Sequence, residues 1–394
     1  MLLSRRLRTS LLGLLAVGAL APDGAPLPEE TFTGSGEAGS GTATLRLGYY
    51  ENDDSGDGNP FLDEELEVIE PIFIVDYSLT DRLGMWLLGS ADLVSSASID
   101  RLSKFPEQSG ASGDYYYGGD LGLRYELSAE SRVSGFVHAS TEYDYDSFGG
   151  GTSFSRDFAS KDTTLSLALT GFRDTIDIIR FDGRQNEGTD ERWTGTAKAG
   201  WYQVIDPKTH GELSATFTLQ SGFLETAYNA VVVEDPSLPP NPNLDNLARG
   251  VEVTEELPGQ RWRGSLQGLI RRRLWPGTAL ELGGRYYADD WGLSAISAEP
   301  ALYQKVFSDA LQLRLGYRFT HQEAARYYDE HFLLRVPRYR TQDSDLGDWD
   351  AHGVGARLEW SLTDTWRFDV GGEWVTRSDG IDPLFGSVGI SKDF

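Results

Sequence analysis

The chain is dominated by segments of about ten residues in which apolar and polar side chains alternate, as in the strands of membrane barrels. In the clearest segment, the two classes are Leu311, Leu313, Leu315, Tyr317 and Phe319 against Gln312, Arg314, Gly316, Arg318 and Thr320. Alternation with a period of two places the two classes on opposite faces of a β-strand. Similar segments recur at residues 120–127, 213–220 and 354–361. The sequence therefore predicts an all-β protein whose strands have one apolar and one polar face.

Two classes of connector separate these segments. Short turn-forming connectors occur at residues 80–81, 128–131, 161–162, 206–211, 275–277, 308–309 and 363–364. Longer and often acidic connectors occur at residues 52–64, 95–114, 174–190, 224–258 and 324–348. Short turns at one end and long loops at the other are typical of outer-membrane barrels. We predict a transmembrane antiparallel up-and-down β-barrel of about 16 strands, or 14 as the alternative, with short periplasmic turns and long extracellular loops.

Composition excludes several other classes of protein. The formal net charge is −26, which argues against a nucleic-acid partner because phosphate binding requires a basic face. Without cysteine there is no disulfide and no cysteine-based metal or iron–sulfur site. After the amino terminus, the sequence has no run of about eighteen apolar residues of the kind that a transmembrane helix needs. Barrel strands are only half apolar and are compatible with the mean hydropathy of −0.37.

The amino terminus has the pattern of a secretory signal. Residues 1–21 contain three arginines, then an apolar stretch, then small residues at Ala19 and Ala21. Residues 22–41 are rich in Pro, Gly, Ser and Glu and are expected to form a flexible periplasmic lead-in. The barrel itself is expected to occupy residues 42–394.

Tryptophan spacing supports a membrane-spanning wall. Trp193 and Trp201 are eight residues apart on one strand face, and Trp366 and Trp374 repeat this spacing. With a rise of about 3.3 Å per residue and a tilt of about 40°, eight residues climb roughly 20 Å. This approaches the apolar band of about 25 Å between two aromatic girdles. We assign these four residues to the girdles, with core tryptophans spaced by chance as the alternative.

The carboxyl-terminal segment is a strand that ends on an aromatic residue. Ile390 and Val388 share the face of Phe394. This pattern resembles the last strand of outer-membrane barrels, which is read by the insertion machinery. Phe394 is therefore predicted to be an insertion signal. Lys392 departs from the pattern, because an apolar residue is usual at that position, but it can extend its ammonium group to water. Within an earlier strand, Pro71 cannot donate to a ladder, and we expect a bulge or local break at Glu70-Pro71.

Several short motifs together resemble a bacterial family of outer-membrane barrels, domain of unknown function 3570. The motifs are Glu70-Pro71, residues 95–100, residues 140–145, Tyr286-Tyr287 with Asp290-Trp291-Gly292, and Asp393-Phe394. The resemblance implies topology and an outer-membrane location but no active site. Members of the family resemble one another in lying beside thioredoxin-like and flavin-transferase genes, which implies a periplasmic redox protein as a partner.

If the apolar faces contact lipid, the charged faces line a lumen. The predicted lumen-lining residues are Arg46, Asp92, Arg124, Glu126, Arg263, Arg271, Glu281, Arg285, Arg314, Arg318, Arg357, Glu359, Arg367, Asp369 and Glu373. Charges of both signs suit a hydrated pore. We therefore expect a porin-like channel for small solutes, with outer-membrane lipid and the barrel insertion machinery as partners. The alternative is a non-channel barrel that serves as a scaffold or sleeve for the periplasmic redox partner.

The sequence gives little support for catalysis, metal binding or a cofactor, and we expect none of them. The five histidines show no metal-ligand spacing, although His138 and Ser140 share a strand face and resemble the pair of an outer-membrane lipase. One loop places Asp53, Ser55, Asp57 and Glu64 at the spacing of a calcium loop. No helices flank that loop, so an acidic, solvated surface loop is the simpler interpretation.

Overall fold

A computed structural model describes residues 36–53, 65–96, 114–180, 187–227, 229–235, 237, 250–307, 310–333 and 335–394. The strands in chain order are β1 (Gly41–Asp53), β2 (Glu65–Ser78), β3 (Leu83–Ser96), β4 (Asp114–Glu126), β5 (Ser131–Thr141), β6 (Tyr145–Phe158), β7 (Thr163–Asp177), β8 (Thr189–Asp206), β9 (Thr209–Gly222), β10 (Ala230–Glu234), β11 (Gly250–Thr254), β12 (Gln260–Trp275), β13 (Thr278–Asp289), β14 (Ser294–Val306), β15 (Leu311–Glu323), β16 (Phe332–Leu333), β17 (Trp349–Ser361), β18 (Trp366–Arg377) and β19 (Leu384–Asp393). Among the described residues, no helix is long and apolar enough to cross a membrane.

Sixteen of these strands form one closed antiparallel barrel. Each barrel strand pairs with its neighbours along the chain, and β1 pairs with β19 to close the ring. The remaining strands, β10, β11 and β16, form a separate sheet that we call the cap sheet. The predicted up-and-down barrel is confirmed, with 16 strands rather than the alternative of 14.

Burial along the barrel strands is inverted relative to a soluble protein. On β4, Leu121 and Leu123 are 47% and 52% exposed, whereas Arg124 is only 9% exposed. The same pattern continues in β1, where Leu45 and Leu47 are exposed on either side of the buried Arg46. Apolar side chains on the outside and paired charges on the inside suit a wall whose outer solvent is hydrocarbon.

Connector lengths differ between the two ends of the barrel. Short connectors join β2 to β3, β8 to β9 and β12 to β13 at the end that we call the turn end. Longer connectors leave the opposite end, which we call the loop end. Two of them, β9–β12 and β15–β17, contain the strands of the cap sheet. The long connectors leave one end, as predicted, although the β5–β6 and β13–β14 connectors at that end are as short as those at the turn end. The predicted signal (residues 1–21), most of the lead-in, and the loop residues 54–64 and 97–113 lie outside the described residues.

The cap sheet gives secondary structure to two connectors that we expected to be loops. β10 pairs antiparallel with β11 and parallel with β16, so the β9–β12 and β15–β17 connectors meet in one sheet. Beside this sheet, Leu257, Trp291, Leu293 and Ala325 form a buried apolar cluster. That cluster joins the connectors to the barrel rim at the β13–β14 turn.

Proline interrupts the barrel at the expected place but without a bulge. Pro71 pairs normally with Leu47 of β1. Towards β3, pairing stops after Ile69 and resumes at Ile72 in an unchanged register. The expected local break is therefore present, whereas the expected bulge is wrong because no extra residue enters the strand. Pro300 coincides with a similar gap between β14 and β15, which the sequence analysis missed.

Candidate functional site: the barrel lumen

Strand parity turns the charged faces of the barrel inwards. Every charged residue named above as lumen-lining lies on the strand face opposite the exposed apolar side chains. Arg263 follows the exposed Trp262, and Arg271 follows the exposed Ile270. The lumen is thus lined by side chains from all parts of the chain, and the strand order decides which of them meet.

One buried charge network closes the barrel seam. Asp369 of β18 accepts hydrogen bonds from Arg46 of β1 at 3.0 and 3.1 Å and from Arg357 of β17 at 2.6 Å. All three residues are at most 9% exposed. Between β1 and β18 lies Gly389 of β19, where an added Cβ would come within 3.3 Å of the Arg46 guanidinium. A glycine at this position lets the ion pair reach across a whole strand.

A second network occupies the wall formed by β12 to β15. Arg271 pairs with Glu281, and Arg271 and Arg314 both donate to the Tyr303 hydroxyl, at 2.9 and 3.1 Å. Tyr303 in turn donates to Glu281 at 3.3 Å. These bonds join four consecutive barrel strands, so this wall is held by side chains as well as by its ladder.

Several inward-facing charged residues that were not singled out from the sequence form ion pairs, one of them with the predicted lumen residue Arg124. Arg124 pairs with Asp76, Arg132 with Asp157 at 3.0 Å, Arg192 with Asp174 at 2.8 Å and Arg261 with Asp289 at 2.5 Å. Each of these residues has the same parity as its inward-facing neighbours. Applying the two-residue period to the whole of each strand would have found them.

Not every inward side chain is buried. Arg285 of β13 and Gln267 of β12 are exposed near the middle of their strands, although both face inwards. Arg318 of β15 pairs with Glu373 at 2.6 Å, but 47% of its side chain is exposed. These residues border open space inside the barrel at mid-height.

The opposite wall carries carboxylates. In the ring of sixteen strands, β2 to β5 lie across the lumen from β12 to β15. Glu70 and Asp92 lie close enough for their charges to interact, and Asp92 Oδ1 is buried without a hydrogen bond from any described residue. The two walls therefore differ at mid-height, with arginine on one side and carboxyl groups on the other.

His138 and Ser140 meet a third residue. Asp120 of β4 lies opposite His138 in the ladder, and its Oδ1 is 2.8 Å from His138 Nδ1. His138 Nε2 is 3.2 Å from Ser140 Oγ. Asp120 could not be assigned to this group from the sequence, because only the register of β4 against β5 places it beside the histidine.

Metal sites receive no support in the described part of the chain. No group of three or more His, Asp or Glu residues there could hold a metal ion. Of the candidate calcium ligands, Asp53 ends β1 and its side chain is not described, while Ser55, Asp57 and Glu64 lie outside the described residues.

The four predicted girdle tryptophans lie on the outer face. Trp193 and Trp374 are near the loop end and are 52% and 55% exposed. Trp201 and Trp366 are nearer the turn end and are 47% and 37% exposed. The ammonium group of Lys392 lies 5.0 Å from the centre of the Trp366 ring, so the lysine in the last strand has a cation–π partner at the membrane edge.

Acidic side chains are buried beside the cap sheet. Glu255 is 1% exposed and accepts hydrogen bonds from Thr341 Oγ1 and the Thr226 amide, each at 2.6 Å. Burial raises the pKa of Glu255 above its ordinary value, and burial together with the neighbouring carboxylates raises the pKa of Asp343. These connectors therefore hold carboxyl groups that keep their protons to a higher pH than free carboxyl groups do.

A family model described as a protein of unknown function (DUF3570) matches residues 103–387. The chain belongs to this family. The match begins before β4 and ends within β19, so most of the DUF3570 barrel lies inside it. The resemblance seen in the sequence motifs is confirmed. No curated protein matches the chain.

Solved structures similar to the DUF3570 barrel include an outer membrane secretin, a siderophore receptor and a hydrocarbon channel. A structure described as a bacterial polysaccharide outer membrane secretin has a TM-score of 0.53 at 12% identity, over 89% of this chain and 98% of that one. The siderophore receptor PirA from Acinetobacter baumannii has a TM-score of 0.45 at 12% identity, over 87% and 53% of the two chains. The monoaromatic hydrocarbon channel CymD has a TM-score of 0.40 at 9% identity, over 91% and 89%. The similarity to the secretin concerns the fold alone.

Proposed function

We propose that this DUF3570 barrel is an outer-membrane channel through which small solutes diffuse passively. The observation that carries the proposal is the exposure of inward-facing side chains at mid-height. Arg285 and Gln267 face the lumen and are nevertheless accessible to solvent. An interior packed for stability alone would bury these groups against partners, as it buries Asp369 between Arg46 and Arg357.

The size and charge of the barrel support the same proposal. Eight strands already enclose an interior that side chains fill, and 16 strands leave an aqueous passage unless loops enter it. Paired charges on the wall suit water and polar solutes, and charged side chains facing a water-filled space avoid the cost of burial in lipid. The outer-membrane location is supported by the exposed apolar band and by the similarity of the fold to the secretin.

Conductance in planar lipid bilayers tests the proposal. We expect the purified barrel to give discrete current steps in potassium chloride. Arg285→Glu reverses one charge on the exposed wall and is expected to shift the reversal potential in a salt gradient towards cation selectivity. Arg173→Glu is the matched control, because Arg173 lies on the outer face of β7.

Two results would count against a channel. A correctly folded barrel that gives no current steps would refute passive passage. Equal shifts in reversal potential for Arg285→Glu and Arg173→Glu would mean that the current does not pass the inner wall.

A further inference from the structure

Three polar side chains on two neighbouring strands form a linked set on the inner wall. His138 and Ser140 are two residues apart on β5 and face the lumen, and Asp120 of β4 pairs directly with His138. Asp120 Oδ1 lies 2.8 Å from Nδ1 of the imidazole, and Ser140 Oγ lies 3.2 Å from Nε2. The histidine ring is held edge-on against Phe172, with ring centres 5.4 Å apart.

This order of contacts is the one that activates a serine hydroxyl. A carboxylate at Nδ1 fixes the tautomer, so that Nε2 can accept the serine proton, and it stabilises the imidazolium that forms. Neighbouring inward serines have other partners: Ser134, on the same face of β5, shares a 2.6 Å hydrogen bond with Ser153, and Ser147 donates to Asp174 at 2.7 Å. We propose that Ser140, His138 and Asp120 form a serine hydrolase site in the barrel wall, which goes beyond passive passage.

A hydrolase also needs a donor for the oxyanion. The amides around Ser140 are engaged in the barrel ladder, so the donor must be a side chain. Tyr116 meets this need, because its hydroxyl lies over Gly118 and its side chain is close enough to that of Ser140 to interact with it. Gly118 is opposite Ser140 in the ladder, and a Cβ at that position would collide with the tyrosine. The glycine thus allows the phenol to reach the reacting centre.

The surroundings indicate the class of substrate. Glu70 and Asp92 both lie near Tyr116, and Asp92 Oδ1 is buried without a hydrogen bond from any described residue. Carboxyl groups that have no paired cation among the described residues can bind a cationic group, because a nearby positive charge stabilises their ionised form. Ser140 is only 9% exposed, so the substrate must be small enough to approach from the lumen. The site therefore fits a short carboxylic ester that carries an ammonium group.

The reaction needs no reagent other than water. Ser140 Oγ bonds to the ester carbonyl carbon while its proton moves to His138 Nε2. The bond from that carbon to the alcohol oxygen then breaks, and the alcohol leaves with the proton from Nε2. Water attacks the acyl-serine and gives a proton to Nε2. The acid departs as Ser140 Oγ recovers that proton.

Labelling and hydrolysis by the full barrel test the site. A fluorophosphonate probe is expected to label the wild type at Ser140, as located by mass spectrometry. Ser140→Ala should abolish labelling and hydrolysis of acetylthiocholine, whereas Ser134→Ala, the matched control on the same face, should retain both. Asp120→Asn should lower the hydrolysis rate by about 10⁴-fold, the loss seen when a triad aspartate is replaced. Heat-modifiable migration on gels verifies that each variant is folded.

The substrate class has its own test. Asp92→Asn should reduce hydrolysis of acetylthiocholine more than hydrolysis of an uncharged thioacetate ester. Equal loss on both esters would refute the cation preference. Absence of labelling in the folded wild type, labelling that persists in Ser140→Ala, or an unchanged rate in Asp120→Asn would each overturn the hydrolase site.

Discussion

Replacing Asp369 with alanine removes the shared counter-ion of two buried arginines. Asp369 accepts three hydrogen bonds, two from Arg46 and one from Arg357, and each guanidinium belongs to a residue at most 9% exposed. Hydrogen bonds to charged groups contribute about 1.5–3 kcal/mol each, and removal of one partner from a buried pair costs about 3–5 kcal/mol. Because the bonds share one carboxylate, we expect a loss of about 4 kcal/mol in the free energy of unfolding, or roughly a thousandfold in the equilibrium constant.

The loss can be measured by urea unfolding in lipid vesicles, followed by tryptophan fluorescence. Glu373→Ala is the matched control, because Glu373 lies on the same strand and pairs with Arg318, whose side chain is 47% exposed. Such a pair contributes at most about 1 kcal/mol. The reasoning is wrong if the free energy of unfolding of Asp369→Ala is within about 1 kcal/mol of that of the wild type, or if the two variants lose the same free energy of unfolding.

Two further predictions concern the cap sheet and the last strand. Burial raises the pKa of Glu255 above its ordinary value of 4.5. As the pH rises from that value towards neutrality, the folded form keeps a proton that the unfolded form loses, so the stability of the connectors falls. Proteolysis of the cap sheet should be faster at pH 8 than at pH 5, and Glu255→Gln should reduce the difference; equal rates in the wild type would contradict this. Phe394 stacks on Tyr77 with ring centres 6.3 Å apart, and Phe394→Ala is expected to reduce the amount of folded barrel in the membrane fraction. Phe307→Ala, at an exposed turn, is the control and should leave that amount unchanged.

The alternation predicts the barrel because, within each strand, it shows which side chains face the lumen and which face outwards. Arg263, Arg271 and the other charged positions could be placed on the inner face from parity alone. Their partners could not, because Arg46 and Asp369 are 323 residues apart and meet only through the barrel register. For the same reason, the contact between Asp120 and His138 could not be predicted from the sequence.

The cap sheet escaped prediction for a different reason. β10 spans Ala230–Glu234 and has no period of two, since most of its side chains are buried on both faces. Short strands of this kind resemble any apolar run within a loop. The signal segment and the periplasmic redox partner stay predictions, and most of the acidic loop that has calcium-loop spacing lies outside the described residues.

The pairing of β1 with β19 has a consequence for biogenesis. Thr42 Oγ1 donates a hydrogen bond of 2.7 Å to Asp393 Oδ1, and the two residues are 351 positions apart in the chain. Bringing the ends of so long a segment together costs about 5 kcal/mol of chain entropy by the logarithmic rule. The ring cannot be sealed before β19 pairs with β1, so until then β1 has a free hydrogen-bonding edge. An edge of that kind can pair with other chains, so we expect the unsealed barrel to be prone to aggregation until the seam is formed.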